Sequence, residues 1–207
     1  MPPKRDLKQV DSEPEDVEDA IEVREDTEKQ RKISEELNEK QIGIFTVRLE
    51  NVKMEWEGEI KNRPVDKAGL DKLVTSIQNK GLNRMAQEHH MIGSLPAVHV
   101  DSFLQAVGLT KEQIAGQNKK GVYPDVPTDW LDVENIKICL EAGQHRFAAV
   151  VEIHPMSPDQ HWWIMRIFQS PLSMATLTYI RANDQFYMTP QTDGDRFLSY
   201  RFRWNTP

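Results

Sequence analysis

A chain of 207 residues, 38% hydrophobic and 29% charged, is long enough to bury one sizeable core and carries a net charge of −7. It holds no apolar run near the ~20 residues a membrane helix needs, and its one cysteine excludes an internal disulfide framework. The charge is uneven: residues 1–40 hold 14 acidic and 8 basic residues, whereas the remainder is close to neutral with 19 and 18. A near-neutral domain without a basic stripe argues against strong non-specific nucleic-acid binding. The opening Met1-Pro2-Pro3-Lys4-Arg5-Asp6 is no secretory signal, and a lone cysteine fits a reducing compartment. An intracellular location, cytoplasmic or nuclear, is therefore expected.

In chain order, residues 1–40 read as an acidic leader. Asp11 to Asp19 is too charged to pack, while Ala20 to Lys40 has good helix formers and opposite charges four apart, such as Glu25 with Lys29 and Glu28 with Lys32. Its apolar residues are sparse (Ile21, Val23, Ile33, Leu37), which favours a solvated helix or arm over a helix that binds a protein partner. The domain, residues 41–207, opens with a strand over Ile42 to Leu49; Val52 to Ile60 either extends it or pairs elsewhere. Leu70, Leu73, Val74 and Ile77 form an i, i+3, i+4, i+7 stripe, so Ala68 to Lys80 is an amphipathic helix stopped by Gly81. Val98 to Val107 is apolar, Thr110 and Gln113 outline a capping box, and Asn118 to Trp130 is a loop punctuated by Gly121, Pro124 and Pro127. A strand over Ile136 to Leu140, a helix over Gln144 to Ile153, a strand over His161 to Phe168 and a helix opened by Ser170-Pro171 complete the set. There are no repeats and no heptads.

Two other groupings carry little. Neighbouring histidines on a strand point to opposite faces, so His89-His90, even with His99, does not match a zinc pattern. Trp162-Trp163 reads as half core and half interface rather than as a platform for stacked bases.

The most informative stretch is Glu141-Ala-Gly-Gln-His-Arg-Phe-Ala-Ala-Val150. A strand, a single glycine and a helix opening with His-Arg make a compact anion site. The first helical N–H groups lack internal partners, and the helix dipole favours negative charge there. Arg146 adds a planar, permanent cation suited to phosphate oxygens.

Gly143-Gln144-His145-Arg146-Phe147-Ala148-Ala149 resembles the Gly-Cys-His-Arg-Tyr-Ala-Ala element of sulfiredoxins and is similar to the Gly-Glu-Arg-Arg-x-x-Ala element of ParB partition proteins. Arg63-Pro64 followed by the helix ending Ser76-Ile77-Gln78-Asn79-Lys80-Gly81-Leu82 resembles the ParB segment in which a helix follows an Arg-bearing loop. Leu177 to Phe186 is similar to the ParB helix ending in Glu-Asn-x-x-Arg, with Ala182 where that acid would stand. The likeness spans about Phe45 to Arg196, and residues 83–134 form an insertion relative to it. It implies an α+β fold of ParB/sulfiredoxin type, a small mixed sheet with flanking helices. It also implies a bound nucleoside triphosphate, ATP or CTP, with Mg²⁺.

By that resemblance Arg63, Ser76, Gly143, Gln144, His145, Arg146 and Asn183 form the phosphate pocket, with Asn183 also near the metal. Each has a plainer reading: Arg146 pairing with a surface carboxylate, His145 capping a helix, Ser76 as an exposed helix serine. Gln144 replaces the sulfiredoxin cysteine, and a carboxamide is no nucleophile, so peroxiredoxin repair is not expected. Cys139 reads as a buried strand residue. Glu141 is the one acid of the turn and the candidate base, if it faces the pocket. Three functions follow: a nucleotide-binding switch with slow triphosphate hydrolysis, a phosphotransferase, and a degenerate interaction or DNA-associated module. ParB proteins continue into a helix-turn-helix domain, and this sequence ends before one fits, so DNA is expected as a partner only if a further C-terminal domain supplies it. A homodimer and a protein partner reached through the leader also remain open.

Overall fold

The structure is a computed structural model. It describes residues 15–54, 65–130 and 136–186, with side chains over 27–54, 65–130 and 136–181. Helix α1 (Glu15–Lys40) leads directly into strand β1 (Gln41–Arg48). A short 3-10 turn then gives β2 (Val52–Lys53), followed by α2 (Lys67–Lys80), β3 (Met91–Pro96), α3 (Val100–Val107) and α4 (Lys111–Lys119). β4 (Ile138–Ala142), α5 (Gln144–Ile153), β5 (Trp162–Ser170) and α6 (Met174–Phe186) complete the chain as described. The architecture is α+β. One mixed sheet of five strands runs β1-β5-β3-β4-β2, with β1/β5 and β3/β4 antiparallel and β5/β3 and β4/β2 parallel.

One open alternative is resolved and one expectation changes. Val52–Lys53 does not extend β1 but pairs beside β4 at the opposite edge of the sheet. Residues 83–134, expected as an insertion, supply β3, which lies between β5 and β4 at the centre of the sheet. Met91-Ile-Gly-Ser-Leu-Pro96 carries a glycine, a serine and a proline, so propensity hides it. Gly93 is required by packing: a Cβ there would come within 2.6 Å of the Met165 sulfur and 2.7 Å of Ile138.

One face of the sheet holds the larger core, in which Phe45 meets Phe103 edge-on at 5.1 Å and Met91, Leu95, Ile138, Leu140, Met165 and Ile167 are fully buried. The exposed edge of β1 is closed by the 118–126 loop. The Asn118 side chain accepts from Ile44 N at 2.8 Å and donates to Ile44 O at 2.9 Å, and Thr46 exchanges backbone bonds with Pro124 and Val126. This blocks pairing with another chain at that edge.

The leader differs from the solvated arm its composition suggests. It is helical, and Arg31 pairs with Glu28 and Glu35 on the exposed side, but its last two turns dock. Ile33 is buried, and Leu37 packs on the cluster of Phe168, Leu172 and Ile180. Glu36 accepts from Ser173 N at 2.7 Å and from the Thr176 hydroxyl at 2.6 Å, so it satisfies donors at the start of α6. Burial works to raise the Glu36 carboxyl, but the hydrogen bonds from Ser173 and Thr176 outweigh it and hold the group below its usual range. Lys40 donates to the Pro171 carbonyl.

Candidate functional site

β4 ends at Ala142, and Gly143 turns the chain into α5 with φ 111°, a left-handed value that side chains rarely adopt. Space imposes glycine as well, because a Cβ would stand 2.7 Å from Cγ of Met91. The Phe147 amide closes the first helical turn on the Gly143 carbonyl at 3.0 Å. The α5 N-terminus therefore has the geometry of an anion cradle.

A second helix start meets it. His145 Nε2 accepts from the backbone N–H of Asp66 at 3.2 Å. Asp66 is the N-cap of α2, its carboxylate accepting from Gly69 N at 2.8 Å. Two helix N-termini thus converge at the Gly143 turn, with one exposed carboxylate beside them. Arg146 reaches the Glu88 carbonyl at 3.4 Å, a long bond. Gln144 is buried, 8% exposed, and its amide forms no hydrogen bond with any described residue.

The other expected residues divide. Ser76 is exposed on α2, ten residues and hence about 15 Å along the helix from the Asp66 cap, so it is not at the turn. Asn183 lies in the last turn of α6, its side chain outside the described set, and Arg63 lies outside the described residues altogether. Glu141 does not face the turn. It is 5% exposed, accepts 2.6 Å from the Ser94 hydroxyl, and takes two bonds from Arg181 at 2.8 and 3.3 Å. A carboxylate held this way is a structural ion pair, so the role of base is withdrawn from Glu141. The pair fixes α6 to the end of β4, two residues before Gly143. Arg181 is the partner that pattern reading did not single out.

Further along, Arg84 is buried with its guanidinium 4.1 Å from the Trp162 ring and 5.9 Å from that of Trp163, donating to the Gln160 carbonyl at 2.7 Å. Burial pushes its pKa down. Trp163 is buried and donates to His89 O at 2.7 Å, while Trp162 is half-buried. Among the described residues no three His, Cys, Asp or Glu side chains are grouped to hold a metal. A shallow concavity of about 480 Å³ lies at the α3–α4 corner, lined by Leu104, Gly108, Leu109 and Gln113. The α4 start beside it is closed by the Thr110–Gln113 capping box, so the chemistry points to the Gly143 turn instead.

Residues 40–184 match the family described as protein of unknown function (DUF3723), N-terminal domain, and the chain belongs to it. No curated protein and no solved structure matches the chain.

Proposed function

For this DUF3723 N-terminal domain we propose a nucleotide-binding module of ParB/sulfiredoxin type, holding the phosphates of a nucleoside triphosphate, ATP or CTP, at the Gly143–Arg146 turn. The observation that carries the reading is the junction itself: a strand, a left-handed glycine and a helix start, joined to a second helix start through His145 and Asp66. Backbone N–H groups there would donate to phosphate oxygens, and the Arg146 guanidinium would neutralise them. The Gln144 amide, at the first position of α5, would supply a further donor at the same place.

Mg²⁺ bound with nucleotide needs only one or two protein oxygens, because phosphates and water complete its shell. Asp66 beside the turn fits that demand. The resemblance adds Asn183, in the last turn of α6, as a second such ligand. With Glu141 committed to Arg181, the acid once expected as the base is occupied, which favours a binding switch with slow hydrolysis over a phosphotransferase. Repair chemistry of the sulfiredoxin kind would need a thiolate where Gln144 stands. A thermal-shift panel of nucleotides, with and without Mg²⁺, tests the reading: a triphosphate should raise Tm through mass action, and no response to any nucleotide would sink it.

A further inference from the structure

Helix α6 turns an uncharged face to solvent. Thr176 and Ile180 are buried, and Arg181 points inward to Glu141. Met174, Ala175, Thr178 and Tyr179 are exposed, Met174 at 59% and Tyr179 at 41%. At spacings of one, four and five residues they share one side of the helix. From Met174 to Ile180 the sequence carries no charge at all. A lone exposed apolar residue is ordinary, but a surface helix normally puts charged groups on its outer face. Helix α1 runs beside this one, with Glu36 bonded to Ser173 and Thr176 and Leu37 packed on the cluster that includes Ile180. It holds 11 acidic and 5 basic residues, so a strongly acidic helix flanks the uncharged face.

The chain itself holds a segment of complementary pattern. Leu198-Ser199-Tyr200-Arg201-Phe202-Arg203-Trp204 alternates apolar and polar residues without a break. Extended, it gathers Leu198, Tyr200, Phe202 and Trp204 on one side and the two arginines on the other. Residues 196–207 contain three arginines and no acid, the opposite sign to α1. The segment lies outside the described residues, in the stretch 187–207 that follows α6 directly. Lengths agree: thirteen helical residues span about 18–20 Å, and seven extended ones about 20–23 Å. The intervening residues 187–197 reach at most ~36–40 Å, enough to return along the helix, and Asp193-Gly194 among them is a turn signal. We propose that residues 198–204 fold back onto the Met174–Tyr179 face of α6 in the same chain. Tyr200, Phe202 and Trp204 cover Met174 and Tyr179, while Arg201 and Arg203 stay in water within the field of the α1 carboxylates. The short tether makes the contact intramolecular, at an effective concentration on the order of millimolar.

Limited trypsin digestion of the full chain tests the contact, because Arg201 and Arg203 are cleavage sites inside the segment. Cleavage there, followed by mass spectrometry, tracks the fraction of molecules in which the segment is released, and docking should slow it about tenfold or more relative to Tyr179→Asp. Phe202→Ser leaves α6 intact and removes an anchor from the segment, so it should open the same two sites. Equal cleavage rates in wild type and both variants overturn the proposal. Protection that falls on dilution places the segment on a second copy and overturns docking within one chain. Should Tyr179→Asp fail to fold, Phe202→Ser decides: faster cleavage at Arg201 and Arg203 with an unchanged digestion pattern elsewhere supports the contact, and an unchanged rate overturns it.

Discussion

Glu141→Gln keeps the shape of the side chain and its bond with the Ser94 hydroxyl, but removes the charge that Arg181 faces. Both groups are shielded, with side chains 6% and 14% exposed, and the Arg181 bonds are 2.8 and 3.3 Å. Breaking a buried pair costs about 3–5 kcal/mol, and the retained carboxamide and the residual exposure of Arg181 bring this to about 2–3 kcal/mol. In urea, followed by tryptophan fluorescence, that loss moves the midpoint down by roughly 1–2 M for a domain of this size. Arg181→Met should cost a similar amount. The double variant should cost less than the sum by more than about 1 kcal/mol, because both changes remove the same ion pair. A base poised at an open turn would behave differently, its removal leaving stability unchanged. A loss under about 0.5 kcal/mol for Glu141→Gln, or strict additivity with Arg181→Met, would refute the ion-pair account.

Two further outcomes follow from the packing. Ile33→Ala should destabilise the whole domain by about 2–4 kcal/mol, since Ile33 is buried where α1 docks; a change within 0.5 kcal/mol, read from the same urea curves, would return the leader to a solvated arm. His90 is held below its ordinary 6.5 by burial first and by Arg166 second, so the unfolded chain binds more protons than the folded one below that pH. Its contribution is complete above pH 6.5 and is lost as the pH falls toward the folded value. In chloride buffer, wild-type stability should drop below pH 6.5 by at most about 1.4 kcal/mol per pH unit from this group, and His90→Gln should flatten the slope; equal slopes would contradict it.

The turn was legible because its signals are local. An alternating strand, Gly143 and a helix pattern need no knowledge of distant residues, and the structure places β4 and α5 accordingly. The α2 stripe was legible for the same reason, Leu70, Leu73, Val74 and Ile77 being its half-buried positions. What escaped depends on contacts far apart in sequence. β3 is a central strand with weak propensity because both of its faces are crowded, so Gly93 is favoured there over a β-branched residue. Glu141 looked like a candidate base because neither Ser94 nor Arg181 is near it in sequence. The docking of α1 turns on Ile33, Leu37 and Glu36, too few residues to raise an amphipathic signal, and on a helix start more than 130 residues away.

The central claim is that the Gly143–Arg146 turn holds the phosphates of a nucleotide. Calorimetric titration of the full chain with ATP and with CTP, in Mg²⁺, tests it most directly when repeated on Arg146→Ala. A charge-assisted bond to phosphate contributes ~1.5–3 kcal/mol, so the account predicts saturable triphosphate binding that weakens about tenfold or more in the variant, with an unchanged melt in the absence of nucleotide. No heat of binding for either nucleotide, or equal affinity in wild type and Arg146→Ala, would contradict it.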